Sequence, residues 1–352
     1  MSSSEAAGEV LEHSKKEDSC DSSPQLSHTV SPEIGQVTYS YYAPRVFHKF
    51  ISKSNLTSEF PCKLKFSRGK LQEIRITAES QGTIDGVVSR ITDIIATTRP
   101  KLRPSHFICL PVQDPASVEA FKAFRLKALE KAEENPLYEG IDEDLFTSQY
   151  KLHLTFAPLL LVDQKEVEKA SHLLVNFFDE SEVGRGLSST PLHIAIRGLM
   201  SMQTNLNNSH VLYATVQKDG DYERLQAIAN AIANLYRQHG LHSGAEATPK
   251  TETDVKLHMT LMNSRSRLEK QLYRSRGSER RRLKRRHFNA TGLLTDFKDQ
   301  CFTEGTVYDA INLCRMHSTG AGGFYATEAQ LKLMETSPDM LKQRLYSLPK
   351  AQ

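Results

Sequence analysis

Long apolar stretches are missing from this chain of 352 residues, which contains no run of 18 or more apolar residues. A helix needs about 20 such residues to cross a bilayer, so we expect no transmembrane helix and no membrane partner. The first residues also lack the apolar core of a signal peptide. A secretory route is therefore not expected.

Cysteine is scarce, and its distribution does not suit a disulfide framework. The five cysteines are odd in number, lie far apart and form no CxxC pair. This usage favours reduced thiols inside a cell and gives no sign of a zinc site. No carboxylate cluster suggests another metal, so we expect neither a metal ion nor a cofactor.

What is present is the composition of an ordinary folded protein, with 39% hydrophobic and 25% charged residues. The length allows two folded units with tails. Residues 1–36 are rich in serine and short of aromatics, which predicts a disordered tail. Residues 335–352 are a second tail, for which the sequence predicts no element.

A first folded unit is predicted over residues 37–100, with the element order β-α-β-β-α. "VTYSYY" is a candidate strand, and "PRVFHKFI" has a proline at a helix start. "KLKF" and "EIRIT" alternate apolar and polar residues, which is typical of half-buried strands. "IDGVVSRITDIIATT" places its isoleucines and valines on one face of a helix.

A second, larger unit is predicted over residues 104–334, and each of its halves has the order strand, helix, strand. The last strand of each half carries nearly the same six residues, "KLHLTF" from Lys151 and "KLHMTL" from Lys256. A period near 100 residues is too long for a solenoid repeat. The repeat therefore predicts two lobes that each contribute one strand to a shared cleft.

The repeated hexapeptides would present two imidazoles and two hydroxyls to one ligand, because residues two apart in a strand share a face. One histidine can take a proton from a nucleophile while the other gives one to the leaving oxygen of a phosphodiester. Threonine hydroxyls can donate to the phosphate oxygens where charge accumulates. One H-x-T motif alone would be weak, and two structural histidines are the alternative. The candidate catalytic residues are His153, Thr155, His258 and Thr260.

These paired motifs resemble those of the two-histidine (2H) phosphoesterase superfamily. The order of "HFICLPV", "KLHLTF", "VLYATV", "VKLHMTLMN" and "INLCRM" resembles the family of subunit 1 of the activating signal cointegrator 1 complex. The resemblance covers roughly Val37 to Leu333. It implies an α+β fold, in which a small KH-like module precedes a bilobal 2H phosphoesterase (RNA 2',5' ligase-like) domain.

The resemblance further implies an RNA-associated subunit of a nuclear, helicase-containing complex linked to transcriptional coactivation and alkylation-damage repair. Its ligand would be RNA or a nucleotide phosphate, and its location the nucleus, with the cytoplasm as a second location. Turnover stays open: a cyclic phosphodiesterase or 2',5'-phosphodiesterase is favoured, and a non-catalytic RNA-binding scaffold subunit is the alternative. A DNA-binding transcription factor is disfavoured, because no zinc or helix-turn-helix signature occurs.

The KH-like module departs from the usual pattern at one loop. KH domains grip single-stranded nucleic acid through a GXXG loop, whose glycines let the backbone approach phosphates. The matching stretch is "ISKSN", and the helix after it is expected to be short. We predict a degenerate loop with a weak grip; a domain kept for packing or for a partner protein is the alternative. The candidate nucleic-acid contacts here are Ser52, Lys53, Ser54 and Asn55.

The segment from Arg265 to Arg286 carries eleven lysines and arginines against two acidic residues, although the net charge of the chain is only +3. It directly follows the second motif strand, so the sequence predicts a basic insert at residues 264–288 within a connecting loop. Its core "RRRLKRR" suits nuclear localisation, and its charge suits capture of RNA. A solvated, flexible insert is the alternative. The candidate RNA contacts are Arg280, Arg281, Arg282, Lys284, Arg285 and Arg286.

Overall fold

The computed structural model describes residues 28–29, 36–67, 72–243, 254–276 and 282–334. The predictions made for the two tails therefore lie almost wholly outside the described residues. The chain divides into two units, Met1–Asp93 and Ile94–Gln352. This division falls inside a helix, whereas the sequence analysis put the break after residue 100.

The first unit contains a four-stranded antiparallel sheet in the order β1-β2-β4-β3. Three helices accompany it, and the last buries Ile84, Val87 and Ile91, residues of the predicted apolar face. The strands are β1 His28–Thr29, β2 Val37–Tyr42, β3 Cys62–Phe66 and β4 Glu73–Ala78. The helices are α1 Arg45–Ile51, α2 Leu56–Glu59 and α3 Gln81–Thr98.

The connection between α1 and α2 contains the four residues predicted to replace the GXXG loop. The helix after it is only four residues long, as the sequence predicted. Phe60 ends it in an extended conformation (φ −128°, ψ 138°), because the ring of the following Pro61 disfavours a helical residue before it. Asn55 has φ −83°, so this loop does not use the left-handed geometry that glycine favours.

The second unit is built on one eight-stranded sheet in the order β10-β7-β8-β9-β6-β5-β11-β12, with every neighbouring pair antiparallel. The strands of the first half are β5 His106–Pro111, β6 His153–Leu159, β11 Ala310–Arg315 and β12 Thr327–Lys332. Those of the second half are β7 Leu192–Ser201, β8 Val211–Val216, β9 His258–Asn263 and β10 Cys301–Tyr308.

Helices cover one side of this sheet and share a core with it. Asp114 and Asp163 cap the two helices of the first half by accepting hydrogen bonds from backbone N–H groups in the first turn. The core unites apolar helix residues such as Phe121 and Ile232 with alternate residues of β6 and β9. The helices are α4 Pro115–Glu134, α5 Gln164–Val175, α6 Phe177–Glu180, α7 Glu182–Arg185, α8 Tyr222–Gln238, α9 Ser264–Arg274 and α10 Thr291–Asp296.

The predicted internal repeat is visible as β5-α4-β6 and β8-α8-β9, and the two motif strands end up side by side at the centre of the sheet. This differs from the expectation that a cleft separates them. Between β6 and β9 a single pair, Leu154 and Met259, is in register. Each other neighbouring pair in this sheet has four to six residue pairs in register. The junction of the two halves is therefore the most sparsely paired line of the sheet.

The basic segment is not the connecting loop that the sequence predicted, because its first part forms α9. Arg267 is 4% exposed; its guanidinium donates to the Gly140 carbonyl oxygen (2.7 Å) and pairs with Asp142 (3.1 Å). Lys270 donates to the carbonyl oxygens of Asp144 and Phe146, each at 3.0 Å. Buried cations normally need such partners. The sequence predicted a charged connecting loop here, whereas these partners anchor a helix to the domain.

Candidate active site

The pairing of β6 with β9 brings the two H-x-T motifs together. Leu154 lies opposite Met259, and continuing this antiparallel register by one residue sets each histidine opposite the threonine of the other motif. The intervening apolar residues are buried in the core. Strand alternation therefore turns the motif side chains to the opposite face. The four half-buried side chains on that face are His153, Thr155, His258 and Thr260.

Backbone carbonyl groups fix the protonation pattern of both imidazoles. Nδ1 of His153 lies 2.8 Å from the Lys151 carbonyl oxygen, and Nδ1 of His258 lies 2.7 Å from the Lys256 carbonyl oxygen. A carbonyl oxygen can only accept a hydrogen bond, so Nδ1 is the donor in each ring. In the neutral imidazoles this leaves Nε2 with a free lone pair. Both rings are thus prepared to exchange a proton at Nε2.

The surroundings favour the neutral form of both rings. The pKa of His153 is lowered from 6.5 to about 4, chiefly by burial and to a lesser extent by the neighbouring His258, against the opposing effect of the hydrogen bond to the Lys151 carbonyl oxygen. Burial also lowers the pKa of His258, as does the nearby Lys256 ammonium group. Desolvation disfavours the charged form of an imidazole, and a nearby positive charge acts in the same direction.

Each histidine is also flanked by a tyrosine and a lysine. The Tyr325 ring meets the His153 ring edge to face, with centroids 5.6 Å apart, and the Lys151 ammonium group lies 4.7 Å from the Tyr325 ring centroid. The other motif repeats this arrangement: the ring of Tyr213 lies 5.3 Å from that of the second histidine, and Lys256 lies 4.7 Å from the same tyrosine ring. Such lysine–ring contacts are attractive and orient the side chains.

Sequence reasoning largely missed this lysine–tyrosine pair. The lysine two positions before each histidine was a usable signal, because the hexapeptide repeats it and strand alternation gives it the same face. Tyr213 lies on β8, opposite Thr260 of the neighbouring strand. Tyr325 lies in the loop before β12, where no periodic pattern predicts its position.

A cavity of about 440 Å³ opens on this face, beside one of the two histidines. Its walls include the motif residues His153, Thr155 and Thr260, whereas His258 does not line it. The volume lies within the range of about 300–1,000 Å³ that small-molecule sites occupy. Its lining includes the basic residues Arg103, Lys151 and Arg265, of which Arg265 pairs with the lining residue Glu269. Apolar or aromatic lining residues are Pro104, Phe107, Pro158, Met316 and Tyr325.

A family model described as the AKAP7 2'5' RNA ligase-like domain matches residues 104–333, well over half of the chain. The chain belongs to this family. The match begins after the first unit, so the KH-like character of residues 37–100 stays a prediction. Within the RNA ligase-like domain, the family match includes both H-x-T motifs.

A curated relative of this RNA ligase-like protein is "Activating signal cointegrator 1 complex subunit 1" of Mus musculus. The two are 25% identical over 247 residues, which make up 66% of this chain and 65% of the mouse protein. The chain thus matches slightly less than two thirds of the length of that relative. The resemblance stated from the sequence is confirmed at this level.

Solved structures that align with this chain include E. coli LigT complexed with ATP (TM-score 0.36, 16% identity) and TT0787 of Thermus thermophilus (TM-score 0.39, 14% identity). E. coli LigT complexed with 3'-AMP aligns with a TM-score of 0.38 and 15% identity. Each alignment covers 66% of this chain and the full length of the other. At these values the similarity assigns no residue role.

The remaining predicted contacts lie away from the H-x-T motifs in sequence. In the first unit, Ser52 and Ser54 turn their hydroxyls back to the carbonyl oxygens of Lys49 and Ile51. In the basic segment, Arg285 donates to the Ser264 hydroxyl at 2.7 Å. Arg280 and Arg281 lie outside the described residues. The exposed basic residues of this segment that the structure describes after α9 are Arg276, Arg282, Lys284, Arg285 and Arg286.

Within the described parts of the chain, no group of three or more histidine, cysteine, aspartate or glutamate side chains could hold a metal ion. Over the same residues, no helix is both long and apolar enough to span a membrane.

Proposed function

We propose that this protein is a 2H phosphoesterase acting on phosphodiesters of RNA ends or cyclic nucleotide phosphates, with His153 and His258 as its acid–base pair. One observation carries the proposal: both imidazoles donate from Nδ1 to a backbone carbonyl oxygen, which leaves both Nε2 atoms free on one face of the sheet. General acid–base catalysis of this reaction needs one group that accepts a proton from the nucleophile and one that donates a proton to the leaving oxygen. A purely structural histidine pair has no need of matched, free Nε2 atoms.

The electrostatics support His153 as the general base and His258 as the general acid. The pKa of His153 is lowered to about 4, and a charge on His258 lowers it. Burial is the largest cause of the lowered pKa of His153, so we assign a proton shared by the pair to His258. A bound phosphodiester anion raises the pKa of both rings, since a nearby opposite charge favours the imidazolium form. Binding thus moves both groups toward the range in which they exchange protons with substrate.

A 2',3'-cyclic phosphate would be hydrolysed by attack of one water molecule. Nε2 of His153 accepts a proton from water, and the water oxygen forms a bond to phosphorus. The bond between phosphorus and one ribose oxygen breaks, and Nε2–H of His258 gives its proton to that oxygen. The product is a phosphomonoester, and proton exchange with solvent restores the two histidines. The two rings move both protons, so the scheme is complete without a metal ion.

Thr155 and Thr260 have hydroxyls suited to the non-bridging phosphate oxygens. Both are half-buried on the face that carries the imidazoles, and both line the cavity. Hydroxyl donors held at the place where negative charge develops stabilise the transition state more than they would in water.

We also propose that the protein is an RNA-associated subunit of a nuclear coactivator or repair complex. The support is the mouse relative, whose name describes it as a complex subunit. Further support comes from the exposed basic residues after α9, which suit RNA capture and nuclear import. Affinity purification from nuclear extract should recover a helicase subunit. Recovery of the protein without such a subunit would contradict the complex assignment while leaving the chemistry untouched.

The decisive experiment is an assay of the full chain against 2',3'-cyclic phosphates and 2',5'-linked oligonucleotides. The variants His153→Asn and His258→Asn are suited to it, because an asparagine amide can keep the hydrogen bond to the carbonyl oxygen while lacking Nε2. Each should lose about 10²–10⁴-fold in turnover. Activity should persist in a metal chelator. A wild-type chain that binds these RNAs without turnover would favour the non-catalytic scaffold.

A further inference from the structure

The tyrosines beside the two histidines differ in the contacts of their hydroxyl groups. Tyr213, beside His258, is 2% exposed and its hydroxyl donates to the Met200 sulfur at 3.7 Å. Tyr325, beside His153, is half-buried and lines the cavity. Among the described residues its hydroxyl has no hydrogen-bond partner, and burial raises its pKa to about 12, so it remains a donor at neutral pH. The site is therefore asymmetric, with an unused donor on the cavity side.

The loop that carries Tyr325, residues 316–325, is firmly held against the site. The Lys151 ammonium group donates to the Ser318 carbonyl oxygen (2.8 Å) and approaches the Thr319 hydroxyl (3.1 Å). The Ser318 hydroxyl in turn donates to the Arg315 carbonyl oxygen (2.6 Å) and accepts from the Ala326 N–H (2.9 Å). Such a network fixes the loop without help from a ligand.

His317 is held by this loop in a conformation that disfavours a side chain. Its φ is +55°, and no other non-glycine residue in the described part of the chain has a positive φ. The loop's other left-handed positions are Gly322 (φ 67°) and Gly323 (φ 84°), where no side chain opposes the backbone. The left-handed region costs a non-glycine residue free energy, and such positions concentrate at ligand sites. The His317 side chain is exposed, lines the cavity and, among the described residues, has no hydrogen-bond partner.

The composition of the cavity suits a nucleoside with a further phosphate. Its apolar wall, with Phe107 and Met316, can cover a base, and Tyr325 lies one side chain away from His153. Arg103 also lines the cavity and makes no ion pair with any described residue. Arginine and histidine side chains are suited to a phosphate at the open side.

We infer that residues 316–325 form a nucleotide subsite beside His153, which selects the end of an RNA chain over a free mononucleotide. The Tyr325 hydroxyl donates to a ribose oxygen of the nucleoside next to the scissile phosphate. His317 and Arg103 contact the phosphate that joins this nucleoside to its neighbour. The inference rests on the proposed function for the identity of the scissile group, although the subsite can be tested by binding alone.

Calorimetry on the full chain separates these roles with two probes, an adenosine dinucleotide ending in a 2'-phosphate and adenosine 2'-monophosphate. The wild type should bind the dinucleotide at least about 10-fold more tightly, the gain expected from one charge-assisted contact. His317→Gly should reduce this preference to the part that Arg103 alone provides, without lowering Tm, since glycine suits φ +55°. Tyr325→Phe should weaken both probes about 5- to 10-fold by loss of one hydrogen bond. Tyr213→Phe, the matched hydroxyl of the other half, should change either affinity less than about twofold.

Distinct results overturn distinct claims. Equal affinity of the wild type for both probes, or binding of neither, overturns the selection of RNA ends. A His317→Gly chain that keeps the full preference, or that loses Tm and affinity for both probes alike, overturns the role of His317 as a phosphate contact. A wild type that shows the predicted preference but turns over neither cyclic phosphates nor 2',5' linkages contradicts the proposed function and leaves the subsite intact.

Discussion

The backbone carbonyl oxygen of Lys151 accepts a hydrogen bond of 2.8 Å from Nδ1 of His153, two residues further along the chain. The bond uses the main chain of the lysine, while its ammonium group is occupied with the loop at Ser318. Lys151 therefore orients the imidazole with its carbonyl oxygen and anchors the cavity wall with its ammonium group. Substitution of the lysine side chain should affect the second task alone.

The two lysines should differ in their influence on the histidine pKa values. The Lys256 ammonium group lowers the pKa of His258. Lys151 acts on His153 only through its backbone carbonyl oxygen, which raises the pKa of that histidine. Removing a neighbouring positive charge favours the imidazolium form. We expect Lys256→Met to raise the pKa of His258 and Lys151→Met to leave that of His153 unchanged. NMR titration of the imidazole resonances measures both, and equal shifts in the two variants would contradict the assignment.

The threonines should contribute less to turnover than the histidines. Thr155→Val and Thr260→Val keep the side-chain shape and remove one donor each, so kcat should fall about 10- to 100-fold. Ground-state affinity should change little if the hydroxyls act mainly on the charge of the transition state. Steady-state kinetics with a cyclic phosphate tests this, using Thr303→Val, a buried threonine of β10, as a control for the substitution itself. A drop in the control variant equal to that in Thr155→Val would count against a direct role.

Stability should depend on pH through His153. Its pKa falls from 6.5 to about 4 on folding, so the unfolded chain binds the proton first as pH decreases. The free energy of unfolding should therefore decline between pH 6.5 and pH 4, by up to about 3 kcal/mol, and level off below. His153→Asn should remove this part of the decline. Denaturant unfolding at several pH values measures it, and an unchanged slope in the variant would refute the lowered pKa.

The basic segment should divide into two parts that mutagenesis can tell apart. Replacing the exposed Arg282, Lys284 and Arg286 with glutamine should weaken RNA binding and reduce its salt dependence, by a slope of about 0.7 for each lost phosphate contact on a single strand. Arg267→Met is the matched control, because this buried cation of α9 serves the loop at Asp142. It should lower Tm and leave the salt slope unchanged. A salt slope that falls with Arg267→Met alone would reverse this division.

The loop at residues 52–55 should be improved by restoring glycine. Ser52→Gly together with Asn55→Gly removes two side chains that narrow the approach of a phosphate to the backbone. We expect a gain of several-fold in affinity for single-stranded RNA in the full chain, with the second unit unaffected. Binding assays at two salt concentrations check the gain, and Ser58→Gly in α2 is a control for added flexibility. Weaker binding by the double variant would mean that the existing serine and asparagine already serve as contacts.

Some of the site follows from local sequence and some does not. The common face of His153 and Thr155 follows from strand alternation, and the repeated hexapeptide indicated that Lys256 to Leu261 forms an equivalent strand. The direct pairing of these strands could not be predicted, because β6 and β9 are 105 residues apart and their register depends on how the sheet assembles. Tyr325 and His317 lie in an irregular loop whose position depends on the Lys151 anchor.

At helix α9 the sequence predicted a loop, and this prediction was wrong. Its sequence is so rich in arginine and lysine that it predicted a basic insert in a connecting loop, with a solvated, flexible insert as the alternative. Two partners of the Arg267 guanidinium, the Gly140 carbonyl oxygen and Asp142, lie more than 100 residues earlier in the chain. Local reasoning about charge cannot include such partners, and here they determine the structure.

The sparse pairing of β6 with β9 has a mechanical consequence. Sheets yield most easily where few hydrogen bonds join neighbouring strands, and in this sheet that line separates the two halves. His153 and His258 lie on strands on either side of this line, so a bending motion along it would change the distance between the two imidazoles. A phosphate bound by residues of both strands would hold the two halves together. Its release would remove this link and allow the halves to move apart.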